Sequence, residues 1–173
     1  MKKRKAKLRI VCSVCEEAAL APRVISHDVG ALVGMKSVMV HHVTALVCPN
    51  CGAVSVPGET LDAISFLLAS SILQQSALDA VEVRYMRRLL GDTQEEFARS
   101  IGVDRATVNR WENSGIPITG TQAYAIRSHA FFRLRKQSPI VESAARAFLE
   151  PGPRRRPRRG GYEFEARDLR AAG

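Results

Sequence analysis

The sequence lacks any run of about 18 consecutive apolar residues, which is the length that a membrane-spanning helix requires. Its longest apolar segment, AISFLLASSIL, is interrupted by Ser65, Ser70 and Ser71. The basic N-terminus leads into a cysteine pair, whereas a secretory signal would continue into an apolar segment and a cleavage site. These absences predict a soluble cytoplasmic protein with no membrane partner, in which thiols stay reduced.

Cysteine is scarce, and all four cysteines occur in two C-x-x-C pairs that are separated by 32 residues. A two-residue gap lets a tight turn direct two sulfurs at one ion, and two such turns supply a tetrahedral set of four thiolates. The separation exceeds the usual 15 to 20 or so residues, but a β-hairpin between the pairs would return the chain to its starting point. The spacing predicts one structural Zn²⁺ held by Cys12, Cys15, Cys48 and Cys51.

Two other kinds of cysteine site remain open. A thioredoxin-like redox pair would place one C-x-x-C at a helix N-terminus after a strand, which two symmetric pairs fit poorly. A catalytic zinc would need an open coordination position, whereas four thiolates close the shell. We therefore predict no catalytic residues and no enzyme. The four histidines fit strand or surface positions better than ligand positions: His27, His41, His42 and His129.

Charge is distributed unevenly along the chain. Residues 1–9 hold six Lys or Arg and no acid, and residues 151–173 hold seven Arg against three acids. Residues 10–83 carry a net charge of −5, and residues 84–136 carry +5. The C-terminal segment has too little apolar content to fold alone, so it is predicted to be a disordered basic tail that contacts phosphates.

The apolar pattern divides the chain into an N-terminal part rich in β-branched residues and a C-terminal part of short helices. Two or three antiparallel strands are predicted between the cysteine pairs. Residues 59–75 follow as a helix whose stripe of Leu61, Ile64, Leu68 and Ile72 would pack on the next unit or on a second copy of the chain. The predicted parts are a basic arm (1–9), a zinc module (10–58), a linker or dimerisation helix (59–76), a helical domain (77–150) and a basic tail (151–173).

The segment TQEEFARSIGVDRATVNRWE has the spacing of a helix-turn-helix. Thr93 and Glu96 form a capping box for a first helix, and Asp104 caps a second. Ala98 is small where the helices would cross, Gly102 allows the turn, and Val108 would fill the angle between them. The predicted fold class is therefore α+β, with a small β-rich zinc module, a linker helix and an all-α helix-turn-helix domain of the lambda-repressor type.

The second helix has two different faces. At about 100° per residue, Val108 and Trp111 share one face, while the opposite face carries Arg105, Ala106, Asn109 and Arg110. Arginine and asparagine side chains can bond guanine and adenine in the major groove, although each could also lie on a solvated face. Gln94 opens the preceding helix, where it could hold a phosphate. The predicted DNA-binding residues are Gln94, Arg105, Ala106, Thr107, Asn109 and Arg110.

The two cysteine pairs, followed by a helix and then by the TQEEFA…G…T-V-x-R-W-E pattern, resemble the MqsA-type antitoxins over about residues 10–140. Those proteins combine a YgiT-type zinc finger with an Xre-family DNA-binding domain. The resemblance implies structural zinc at the four cysteines and an N-terminal domain that binds a ribonuclease toxin. It also implies a C-terminal domain that forms a homodimer and binds a palindromic operator in double-stranded DNA.

Residue by residue, the resemblance is incomplete. Arg110 matches the family's base-reading arginine. Ala106 stands where the family has a second base-reading residue, an asparagine, so base reading at this point would pass to Arg105 or Asn109. Glu16 stands where the first cysteine turn often has glycine. The leading hypothesis is a repressor that is also the antitoxin of a type II toxin-antitoxin system. The alternatives are a stand-alone Xre-family regulator with a structural zinc finger and, from another class, a thiol or zinc enzyme.

Overall fold

The computed structural model describes residues 10–149 and 161–169, which together form an α+β fold, as the sequence predicts. The strands are β1 (Ala21–Asp28), β2 (Val38–Val47), β3 (Val54–Ser55) and β4 (Tyr162–Glu165). The helices are α1 (Gly30–Val33), α2 (Gly58–Leu73), α3 (Ala80–Leu89), α4 (Gln94–Ser100), α5 (Arg105–Asn113), α6 (Gly120–Leu134), α7 (Pro139–Leu149) and α8 (Ala166–Leu169). No helix in the described ranges has the length and apolar character needed to cross a membrane.

The sheet is organised around β2. β1 pairs with it in antiparallel orientation from Ala21↔Val47 to Asp28↔Met39, and the short β3 pairs with its C-terminal end. Val38, Val40, Val43 and Ala45 of β2 are buried, so one face of this strand packs on the interior. Because β2 runs directly into Cys48, the sheet fixes the position of the second cysteine pair.

The C-terminal segment differs from the predicted disordered tail. Residues 162–165 form β4, which pairs in parallel with β2 from Val38↔Tyr162 to His41↔Glu165. Tyr162 and Phe164 are buried, so the short alternating sequence YEFE supplies an inward apolar face despite the polar composition around it. The prediction was wrong for residues 162–169. Residues 1–9, 150–160 and 170–173 lie outside the described part of the chain, as do the predictions made for them.

Helix α2 lies inside the molecule and does not bridge two separate cores. Its stripe residues Ile64, Leu68 and Ile72 have no exposed surface, and Leu61 packs at the edge of the same cluster. This cluster also includes Val38 and Val40 of the sheet and continues through α3, α5 and α6. The stripe thus packs against the sheet and helices of its own chain, and a role in dimerisation stays a prediction.

The helices of the C-terminal part begin where local capping groups predict. The Thr93 hydroxyl accepts from the backbone N–H of Glu96 at 3.2 Å, and the Glu96 carboxylate accepts from the backbone N–H of Thr93 at 2.8 Å. Asp104 Oδ1 accepts from the backbone N–H of Thr107 at 2.8 Å and starts α5. Helix α3 has a second capping box, formed by Asp79 and Glu82, so it begins three residues after residue 77, where the predicted helical domain starts.

Candidate metal centre and nucleic-acid interface

The four cysteines meet at one point beside the sheet. Their sulfur atoms all lie within 4.8 Å of one another. Cys12 Sγ lies 3.6 Å from Cys51 Sγ, and Cys15 Sγ lies 3.6 Å from Cys48 Sγ, so each short contact joins one pair to the other. These distances exceed the roughly 2.05 Å of a disulfide and approach the roughly 3.8 Å that separates sulfurs around a tetrahedral zinc.

Both cysteine turns have the same backbone form. The backbone N–H of Glu16 donates to Cys12 O at 3.0 Å, and that of Gly52 donates to Cys48 O at 3.1 Å. Glu16 and Gly52 have φ values of 58° and 74°, which lie in the left-handed region that favours glycine. Glu16, which stands where the related turn often has glycine, therefore adopts the left-handed backbone conformation itself. Asn50 Nδ2 donates to Glu17 Oε2 at 2.6 Å and links the two turns.

The chemistry of the sulfur set fits a cation. A backbone hydrogen bond from Glu17 lowers the pKa of the Cys15 thiol to about 6. A backbone hydrogen bond from Ala53 lowers the pKa of the Cys51 thiol, but desolvation and the neighbouring cysteines raise it to about 12. Four ionised sulfurs at these distances would repel one another, and a bound cation would offset that repulsion. A closed set of four sulfurs is the ligand set of many structural metal sites in proteins.

Helix α5 presents the two faces that the sequence predicts. Val108 is fully buried and Trp111 is 9% exposed, so both anchor the helix to the domain. Ala98 is 2% exposed where α4 meets α5, and Gly102 has φ 73° in the turn between them. The exposed residues on the other side of α5 are Arg105, Ala106, Asn109 and Arg110, with Thr107 half-buried beside them.

A buried carboxylate fixes α5 against α3 and α4. Glu112 is 3% exposed, and its two oxygens accept from Arg87 Nε at 2.6 Å and Arg87 Nη2 at 3.0 Å. Gln94 Nε2 also donates to Glu112 Oε2 at 2.9 Å, while Arg84 donates to the Glu112 backbone carbonyl. Burial alone would raise the pKa of Glu112, but the hydrogen bonds and charge of Arg87 hold it below its usual range.

The contact with Glu112 gives Gln94 a role that sequence reasoning missed. Its side-chain amide holds α5 in place from the first turn of α4. The predicted phosphate contact by Gln94 stays a prediction. The signal for the Glu112 network was weak in the sequence, because its donors lie 18 and 25 residues away along the chain.

A second buried polar group joins the sheet to the helical part. Tyr162 OH of β4 donates to Glu82 Oε1, and Gln75 Nε2 donates to the same carboxylate oxygen at 2.8 Å. Burial raises the pKa of Glu82 despite these hydrogen bonds. Glu82 Oε2 meanwhile caps α3 by accepting from the backbone N–H of Asp79 at 2.8 Å. The C-terminal strand therefore reaches α3, the helix that precedes the helix-turn-helix.

Comparison with known proteins identifies the helical region. Residues 83–128 match a family model described as helix-turn-helix, and the match runs from α3 into α6. No match was found among curated proteins. The matched helix-turn-helix is a DNA-binding type of domain, which supports a DNA-binding transcriptional regulator. The N-terminal region of the same chain carries a four-cysteine cluster able to hold a metal ion.

Proposed function

We propose that the protein is a sequence-specific transcriptional repressor that inserts α5 into the major groove of double-stranded DNA. The observation that carries this proposal is the division of α5 into a buried face and an exposed face. Val108, Trp111 and Glu112 hold the helix in place, and Arg105, Asn109 and Arg110 extend outward. Such donors reach guanine and adenine edges when a helix lies in the groove.

The proposed repressor acts as a homodimer on a palindromic operator. A single short helix contacts only a few base pairs, and a two-fold dimer doubles that contact by binding two half-sites about one helical turn apart. The basic charge of residues 84–136 supports non-specific attraction to phosphates. The basic segments 1–9 and 151–160 would add to the same attraction.

In this proposal the zinc ion is structural. Cys12, Cys15, Cys48 and Cys51 would hold it, and it would join the two cysteine turns, which contribute few apolar side chains to the core. When bound, zinc supplies four bonds that replace hydrophobic packing in a small unit. The chain's own contribution is the pair of left-handed turns that direct the sulfurs to one point.

We further infer that the protein is the antitoxin of a type II toxin-antitoxin system, which neutralises a ribonuclease toxin and autoregulates its operon. Support comes from the resemblance described above and from the net charge of −5 over residues 10–83. RNA-cleaving proteins are commonly basic, and an acidic surface attracts them. The N-terminal sheet would then bind the toxin while α5 binds the operator.

The DNA-binding proposal can be tested by selecting duplexes from a randomised pool with the full chain. We expect one enriched palindromic sequence. Replacing Arg110 with Ala should then weaken binding to that sequence by about 1–3 kcal/mol and change binding to random DNA little. An equal loss on both duplexes would show that Arg110 contacts only phosphate, and failure to enrich any sequence would refute specific recognition.

The antitoxin proposal requires a separate test. The reading frame next to this one should encode a small basic protein of roughly 100 residues whose expression alone arrests growth. Co-expression with the present chain should restore growth, and the two proteins should co-purify. If no such neighbour exists, or if it does not bind, the protein is a stand-alone regulator with a structural zinc site.

A further inference from the structure

Three side chains form a hydrogen-bonded chain along the exposed side of α5. Arg110 Nη2 donates to Thr107 Oγ1 at 3.0 Å. The Thr107 hydroxyl then donates to Asp104 Oδ2 at 2.8 Å. The other oxygen of Asp104 accepts from the backbone N–H of Thr107 at 2.8 Å, so the carboxylate is itself fixed by the helix N-terminus.

The direction of these hydrogen bonds suits a positively charged end group. The hydroxyl of Thr107 has a single proton, which it gives to Asp104, so its lone pairs remain available to the guanidinium of Arg110. Hydrogen bonds from Thr107 and the charge of Arg110 keep the pKa of Asp104 below its usual range. The carboxylate is therefore ionised at neutral pH and polarises the hydroxyl toward the arginine.

The arrangement leaves Arg110 able to bind a base. A guanidinium has five N–H donors, and the contact with Thr107 uses one of them. Four N–H donors remain, and a contact with guanine O6 and N7 together needs two of them on one edge of the guanidinium. A free arginine side chain would lose about 2 kcal/mol of rotamer entropy on binding, and a side chain held in advance loses less.

We propose that Thr107 and Asp104 are positioning residues that hold Arg110 in the geometry for reading guanine. This inference rests on the proposed DNA-binding function and deepens it, because it assigns the recognition of one guanine in the operator to a relay of three residues. The relay consists of Asp104, Thr107 and Arg110. Neither Thr107 nor Asp104 needs to contact a base.

The test uses the full chain and the duplex enriched from the randomised pool. Binding is compared with that of the same duplex in which 7-deazaguanine, which lacks the N7 acceptor, replaces the guanines one at a time. Wild-type protein should lose about tenfold in affinity at the guanine that Arg110 contacts. The Thr107→Val variant keeps a β-branched side chain of similar size. Its discrimination against 7-deazaguanine should be about three- to fivefold smaller than that of wild type, which leaves about two- to threefold.

Two controls separate positioning from other roles of Thr107. Thr107→Ser retains the hydroxyl and should retain the discrimination. On an Arg110→Ala background, Thr107→Val should have no further effect, because the relay then has no end group to hold. Asp104→Asn retains a helix-capping side chain but lacks the charge, so it should weaken discrimination without lowering the thermal stability of the protein appreciably.

Each outcome bears on the proposal. Unchanged discrimination in Thr107→Val would overturn it, as would improved discrimination, which would mean that Thr107 restrains Arg110 from the base. An equal effect of Thr107→Val with and without Arg110 would show that Thr107 contacts the DNA itself. If wild-type protein enriches no duplex, the proposed function fails, whereas enrichment with an unaffected Thr107→Val variant refutes the relay alone.

Discussion

The hydroxyl of Tyr162 in the C-terminal strand donates a hydrogen bond to the carboxylate of Glu82, 80 residues earlier in α3. Both side chains are buried, and the same carboxylate caps α3, the helix that precedes the helix-turn-helix. Two parts of the chain that the sequence separates thus meet at a buried hydrogen bond. The contact adds to the parallel pairing that places β4 beside β2.

Replacing Tyr162 with Phe should destabilise the whole protein. The substitution keeps the buried ring but leaves the Glu82 carboxylate short of one donor in a dry site, which costs about 1–3 kcal/mol. Urea denaturation followed by circular dichroism would measure the loss. Glu163→Gln, on the exposed side of the same strand, is the matched control and should change stability little. Equal stability of Tyr162→Phe and wild type would mean that the hydrogen bond contributes nothing.

Replacing Glu112 with Gln should weaken the attachment of α5 to α3 and α4. The change removes the charge that faces Arg87, whose side chain is only 13% exposed, and leaves that guanidinium without its ionic partner. Breaking such a buried pair costs about 3 kcal/mol. Denaturant titration provides the measurement. Glu95→Gln, which breaks the exposed pair with Arg99, should cost no more than about 0.5 kcal/mol and serves as the control.

The same carboxylate should make stability depend on acidity. The pKa of Glu112 is lower in the folded protein than in the unfolded chain, where it is about 4.3. The contribution of ionised Glu112 to the free energy of unfolding is therefore complete above about pH 4.3. It is lost as the pH falls through the pKa that Glu112 has in the folded protein. Between about pH 5 and pH 3, the free energy of unfolding should decrease less steeply for Glu112→Gln than for wild type. Parallel curves would contradict the assignment.

Removing the metal should unfold the cysteine turns and weaken the common core. We expect one Zn²⁺ per chain by elemental analysis of purified protein, and a lower melting temperature after treatment with a strong chelator. Cys48→Ser should lose both the metal and the stability, whereas Ser13→Ala, an exposed position within the first turn, should lose neither. A thiol or zinc enzyme would instead lose turnover in Cys48→Ser while its N-terminal sheet stayed folded.

Glycine at position 16 should stabilise the first cysteine turn. Glu16 adopts φ 58°, where a side chain costs about 1–2 kcal/mol, and part of that cost is offset because glycine makes the unfolded chain more flexible. The net gain for Glu16→Gly should be about 0.5–1 kcal/mol. The reciprocal change, Gly52→Ala, should destabilise the second turn by a similar amount. Thermal melts of zinc-loaded protein would report both changes, and a destabilised Glu16→Gly would refute the strain argument.

Local patterns predicted most of the C-terminal helices and the metal cluster. Thr93, Glu96 and Asp104 cap their helices through residues three positions away, so a short window of sequence contains the whole interaction. The cysteine pairs are similarly local, and only their meeting requires the sheet. β4 and the Glu112 network could not be predicted in this way, because their partners lie far along the chain. The buried alternation in YEFE is also only four residues long and follows an arginine-rich stretch.

The parallel pairing of β4 with β2 has a consequence for how such proteins can diversify. The sheet beside the cysteine cluster is assembled from both ends of the described chain, with residues 10–55 on one side of the helix-turn-helix and residues 162–165 on the other. Recombination at the junction before α2 would transfer a sheet that lacks a strand, and it would leave β2 without its parallel partner from Val38 to His41. The N-terminal sheet would therefore change more readily by point substitution on its exposed face than by exchange as a separate unit.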